Sequence, residues 1–146
     1  MVQSTKIHIR QTKMKQILLS LAILTLSGCS VVNAYLMTHY DPNEYKAITD
    51  IRAEAQQFKD QCDDAVISQA NAVKLAQDTR YFVLYSEHIP RNADMISASK
   101  DLQSIAQGLA DQYTKAKVST AFCKIKFTTV ETSADRMQKV ISGRPR

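Results

Sequence analysis

Asp41-Pro42-Asn43-Glu44, followed by Tyr45, Ile48, Ala55, Phe58 and Cys62, is the stretch that decides the fold. An aspartate caps a helix well because its carboxylate accepts from the free amides of the first turn. Proline suits the first helical position, and a glutamate three residues after the cap completes a capping box. The apolar residues then recur at helical spacing, with Ile51 beside the stripe, which predicts a first helix over about residues 41–62.

The same signals repeat to the end of the chain. Asp63-Asp64 can cap a second helix whose apolar face is Val66, Ala70, Val73, Ala76, Phe82 and Leu84, running to about Glu87 before Pro90 stops it. Asn92 is a cap for a third, carrying Met95, Leu102, Ile105, Ala106, Leu109 and Tyr113. Ser119 caps a fourth, with Phe122, Ile125, Val130, Ala134, Met137 and Val140 inward and Gly143 with Pro145 as its ending. The alternation Cys123-Lys124-Ile125-Lys126-Phe127 also fits a strand, but its continuation at helical period favours a helix. The expected fold is therefore all-α, an up-down-up-down four-helix bundle over residues 41–146.

Composition agrees with that class. The chain has only three glycines, Gly28, Gly108 and Gly143, too few for a sheet with many tight hairpins. Charge is uneven: residues 41–64 hold three basic and seven acidic side chains, residues 112–146 eight basic and two acidic. Two readings stay open: oppositely charged helices packed side by side, or a basic surface for an anionic lipid or acidic partner.

Upstream of the bundle the pattern changes. Lys13 and Lys15 precede the apolar run 17–26, about half the length of a membrane-spanning helix. The run ends in Leu26-Ser27-Gly28-Cys29, which resembles the lipobox of bacterial lipoproteins. That resemblance implies a signal peptide over residues 1–28, cleavage before Cys29, and a lipid on its sulfur as the membrane anchor. Met14 followed by Lys15 would serve equally as a start. Ser30 stands where an Asp would, by analogy with enterobacterial sorting, retain the protein at the inner membrane, so the outer membrane, periplasmic side, is the expected address. The leader carries Lys6, Arg10, Lys13 and Lys15 and no acid, so its removal lowers the formal net charge from +5 to +1. A nucleic-acid partner is not expected on that balance. Residues 29–40 lack a clear period and read as a lipidated tether. Its Tyr35, Leu36, Met37 and Tyr40 would sit either among lipid headgroups or over the base of the bundle.

With Cys29 acylated, Cys62 and Cys123 remain, and two thiols in a small exported domain normally pair. In an up-down-up-down bundle the end of the first helix and the start of the fourth lie at the same end, where these residues fall. A rival topology, with the first two segments fused into one long helix across Asp63-Asp64, also closes the bridge but leaves half of that helix projecting with an exposed apolar stripe.

Chemistry-bearing patterns were sought without result. The sequence contains no HExxH, CxxCH, CxxC, Gly-x-Ser-x-Gly or phosphate-cradling glycine loop. His39 and His88 read as tether and turn residues, Glu131 with Asp135 as a solvated face. No enzyme, metal or cofactor is expected. Tyr81-Phe82-Val83-Leu84-Tyr85 is the densest apolar run after the leader, and a helix spreads it around most of its circumference. It is either core on two sides or the lining of a partner groove, for which Tyr81, Phe82, Leu84 and Tyr85 are the candidates, with the basic residues Lys124, Lys126, Arg136 and Lys139 next.

The lipobox, short tether, helical body and helix-end cysteines in Phe58-Lys59-Asp60-Gln61-Cys62 and Phe122-Cys123 together resemble the pilotins of type II secretion. The resemblance implies an outer-membrane-anchored, non-catalytic adaptor that binds a protein segment in a groove. A second resemblance is to small phage or mobile-element lipoproteins used in lysis or superinfection exclusion. Outer spanins are shorter and proline-rich, unlike this chain with its three prolines.

Overall fold

The computed structural model describes residues 38–146. The leader, Cys29 and most of the predicted tether lie outside the described residues. Four helices follow in order: α1 (Pro42–Lys59), α2 (Ala65–Glu87), α3 (Ala93–Lys115) and α4 (Thr120–Ser142). Neighbours in the chain run antiparallel, α1 packs most closely on α4 and α2 on α3, and the four enclose one apolar core. The expected all-α up-down-up-down bundle is the observed fold. The segment 123–127 is helical. None of the described helices is long and apolar enough to cross a membrane.

Three of the four starts use the chemistry foreseen for them. The Asp41 carboxylate accepts from the amides of Asn43 and Glu44, both at 2.8 Å, with Pro42 opening the helix. Asp64 accepts from Val66 and Ile67, and Ser119 from Phe122. Such a cap contributes about 1 kcal/mol by satisfying otherwise orphaned amides. Asn92 occupies the cap position of α3 but makes no capping bond; its amide points inward instead.

The fused-helix alternative is excluded. α1 stops at Lys59, short of the expected Cys62, because Asp60 and Gln61 donate to Phe58 and neighbouring carbonyls in tight turns. The chain reverses through residues 60–64, and Tyr85 near the end of α2 reaches Asp41 at the start of α1. Cys62 sits in that reversal and is bonded to Cys123 in the first turn of α4, with the two Cα atoms 5.8 Å apart.

The helix faces correct the sequence reading twice. In α4 the buried row is Cys123, Phe127, Val130, Ala134, Met137 and Ile141; Phe122, Ile125 and Val140 face solvent. The bridge imposes this rotation, since Cys123 must point at Cys62 and its helical neighbours at i+4, i+7 and beyond follow it inward. In α2 the buried row is Ser68, Ala72, Leu75, Ala76, Thr79, Phe82, Val83 and Ser86, while Val66, Ala70, Val73 and Leu84 point outward. The row mixes small residues, several with hydroxyls, with Leu75, Phe82 and Val83, and α2 packs on α3. Their hydroxyls are satisfied locally: Thr79 donates to the Leu75 and Ala76 carbonyls, and Ser68 accepts from the Tyr113 hydroxyl at 2.8 Å.

Thr38 and Tyr40, assigned from the sequence to the tether 29–40, belong to the bundle. Thr38 is buried and donates to the Arg91 carbonyl, and the Tyr40 amide donates to Pro145 at 2.9 Å. The Tyr40 ring lies against Tyr45 and under the Arg146 guanidinium. Of the two settings considered for Tyr40, the structure places it over the base of the bundle.

Opposite charges on α1 and α4 do meet, though not in the simple sense of an acidic helix against a basic one. Arg52 pairs with Asp135 at 3.1 Å and Lys59 with Glu131 at 2.9 Å, so the two acids of the basic segment face cations of the acidic one. Glu131 and Asp135 are thus ion-pair partners of α1 and not merely a solvated face. The hydrogen bond from Lys139, with Arg52 nearby, holds Asp135 below the usual carboxylate range. Half-exposed pairs of this kind add little, because water screens them and ordering two side chains offsets the gain.

The bridge closes a loop with a sequence separation of 61, which on the chain-entropy model stabilises the fold by about 4 kcal/mol. Cys62→Ala is therefore expected to lower the melting temperature substantially, and peptide mapping without reductant should recover Cys62 and Cys123 in one linked fragment.

Candidate functional site

Two places on this bundle go beyond ordinary packing. One is a buried polar cluster at the end where the start of α1 and the tail after α4 meet; the other is the outer face of α2.

Glu44 is fully buried in the first turn of α1. Its carboxylate is held by Arg144 from the tail after α4, by the Asn92 amide at 2.7 Å and by the Ser86 hydroxyl at 3.4 Å. Arg144 also donates to the Asn92 side-chain oxygen at 2.8 Å, and Asn92 to the Ser86 carbonyl at 3.2 Å. The expected capping box is not formed, because Glu44 turns into the core instead of back to Asp41. The cluster is closed: both carboxylate oxygens are occupied and the Arg144 side chain is almost fully enclosed. Such a group of polar atoms fixes which ends meet and leaves nothing free to bind a substrate. Arg144→Ala should strand the Glu44 charge and lower stability by about 3 kcal/mol or more, whereas the double replacement Glu44→Leu with Arg144→Met should cost less; thermal melts of the two variants decide this.

The outer face of α2 has the opposite character. Val66, Ala70, Val73, Gln77, Tyr81 and Leu84 follow one another at steps of three and four residues and so share one face. All are exposed, Val66 by 79%, Tyr81 by 61% and Leu84 by 52%. No charged residue interrupts the row. The core is complete without it, and the apolar area is of the contiguous kind that marks interaction sites.

The flanks of this face are fixed by polar contacts to both neighbours. Toward α1, Lys74 bonds Glu54 at 2.5 Å and Asp78 at 2.8 Å, and Asn71 donates to Gln61 at 2.6 Å. Burial raises Glu54 above the ordinary carboxylate range against the pull of Lys74. Toward α3 a shallow groove of about 270 Å³ is lined by Val73, Ala76 and Arg80 on one side and Gln107, Ala110 and Asp111 on the other.

The residues singled out in the sequence divide accordingly. Tyr81 and Leu84 are on the exposed face. Tyr85 is half-buried, its ring 6.3 Å from that of Tyr81 and its hydroxyl donating to Asp41 at 3.0 Å, and burial together with Asp41 raises its phenol above the ordinary value. Phe82 is a correction: it is wholly buried, on the side of α2 turned to the core, and cannot line a docking surface. Val66, Ala70 and Val73, expected inside, belong to the surface. The pattern that could have shown this is the competing row of small residues, Ser68, Ala72, Ala76 and Thr79, at the same period.

The next candidate, the basic face of α4, is largely engaged with its own neighbours. Lys124 is 3.7 Å from Asp63, Lys139 pairs with Asp135, and the Lys126 ammonium lies 5.4 Å from the Phe122 ring centre. Arg136 shares a depression with Ile125, Thr128 and Thr132. His39 and His88 are exposed. Among the described residues no three His, Cys, Asp or Glu side chains are gathered as a metal site. No protein family, curated protein or solved structure matches this chain.

Proposed function

We propose that this protein is a non-catalytic adaptor, anchored to the periplasmic side of the outer membrane through a lipid on Cys29, that holds an apolar helix of a protein partner against the outer face of α2. The observation that carries the reading is the unbroken exposed row Val66, Ala70, Val73, Gln77, Tyr81 and Leu84 on a helix whose core side is already filled. A rigid helical face with apolar residues at i, i+3, i+4 and i+7 is a common seat for an amphipathic helix, and aromatic anchors such as Tyr81 concentrate binding energy. The lipobox resemblance supports the anchor, and the pilotin resemblance supports a carrier of this kind. Thr38 is the ninth residue after Cys29, a reach of at most about 32 Å, so a lipid at Cys29 would keep the bundle close to its membrane.

The anchor is tested by fractionation. Cys29→Ser should be processed differently or not at all and be lost from the membrane fraction, and an unmodified, uncleaved amino-terminus on the wild-type membrane protein would refute the reading.

The surface is tested by charge. Leu84→Asp or Tyr81→Glu should abolish co-purification of the partner while leaving helicity and melting unchanged. If every such substitution unfolds the domain instead, the face is core and the basic side of α4 takes its place.

A further inference from the structure

The exposed row of α2 is symmetrical about its middle. Counted from Gln77, Val73 and Tyr81 lie four residues to either side and Ala70 and Leu84 seven; Val66, eleven before it, falls opposite His88, the residue that caps the helix end. A two-fold axis through Gln77, with two such helices antiparallel, brings each position onto its mirror position in the other copy. Large side chains then meet small ones, Tyr81 against Val73 and Leu84 against Ala70. The two Gln77 amides meet on the axis, where each can donate to and accept from the other.

The charges beside the row obey the same symmetry. Arg80 and Asp111 both line the groove between α2 and α3; Asp111 accepts from the Gln107 amide at 2.7 Å, and neither residue is in an ion pair among the described residues. α3 runs antiparallel to α2, with Tyr113 bonded to Ser68 and Lys100 to Glu87, so Asp111 stands level with the turn that holds Val73 and Ala76. The two-fold axis carries Arg80, three residues past Gln77, to the level three residues before it, on the α3 side. That is the level of Asp111 in the other copy, so the arrangement forms two equivalent Arg80 to Asp111 pairs.

We infer that two copies of this chain pair through the outer faces of α2 across a two-fold axis at Gln77. The inference rests on the reading of this face as the docking surface, and makes a second copy its occupant until a partner helix displaces it. Size matching and charge matching under one symmetry operation are what an isologous contact requires, and an unrelated helix has no reason to share them. The helix is about 34 Å long, so the contact buries roughly 1,000 Å² in total, at the low end of specific interfaces. The pairing is weak enough to exchange.

Crosslinking of the full chain in isolated membranes tests this. With a short thiol crosslinker, Gln77→Cys should give roughly tenfold more linked dimer than Gln56→Cys on the outer face of α1, or than the parent chain. In the Gln77→Cys background, Arg80→Glu and Asp111→Lys should each reduce the dimer by a similar factor, and the two together should restore it. Leu84→Asp should remove it. Equal linking at Gln77→Cys and Gln56→Cys, or failure of the charge swap to restore the dimer, overturns the proposal. If Leu84→Asp then melts as the parent does, the docking face itself still stands; if Leu84→Asp unfolds the domain, both readings fall.

Discussion

The bond between Cys62 and Cys123 is the constraint on which the rest of the bundle depends. It ties the α1–α2 reversal to the first turn of α4 and thereby sets both the level and the rotation of α4. With Cys123 turned inward, Phe127 meets Phe58 edge-on with ring centres 5.9 Å apart, and Val130, Ala134, Met137 and Ile141 follow along the same side. The ion pairs between α1 and α4 form around a contact whose geometry the bridge has already chosen.

The opposite end is closed by different means. There Glu44, Asn92, Ser86 and Arg144 bring the start of α1, the α2–α3 connection and the tail after α4 into one buried cluster. An isolated buried charge is costly and a satisfied one is close to neutral, so the cluster adds selectivity more than stability. It admits only the arrangement in which all three segments arrive together.

Helix number, order and most caps were legible in the sequence because each start has its own local chemistry. The rotation of each helix was legible only where apolar residues lie on one side. α3 has such a side, and Met95, Leu102, Ala106 and Leu109 are buried as read. α4 could have been phased from Cys123, since a bridged cysteine must face inward and carries Phe127 and Val130 with it. α2 offered no such fixed point. Val66, Val73 and Leu84 form one credible core side, and Ala72, Leu75, Phe82 and Val83 the other, so periodicity alone does not choose. Packing against α3, where Tyr113 bonds Ser68, goes with the second side, and that contact is invisible until the partner helix is in place. The Glu44 cluster was hidden for a similar reason: a glutamate three residues after a cap has a local explanation, and its real partner lies at the far end of the chain.

That distance has a consequence for the order of assembly. Arg144 lies 100 residues after Glu44, and it supplies the counter-charge for a carboxylate in the first turn of the first helix. A chain made from its amino-terminus can form individual helices early, but it cannot bury Glu44 without cost until Arg144 has emerged. Cys123 likewise comes late to its bond with Cys62. Both ends of the bundle wait for α4, so the bundle stays open until that helix and the tail behind it have been made.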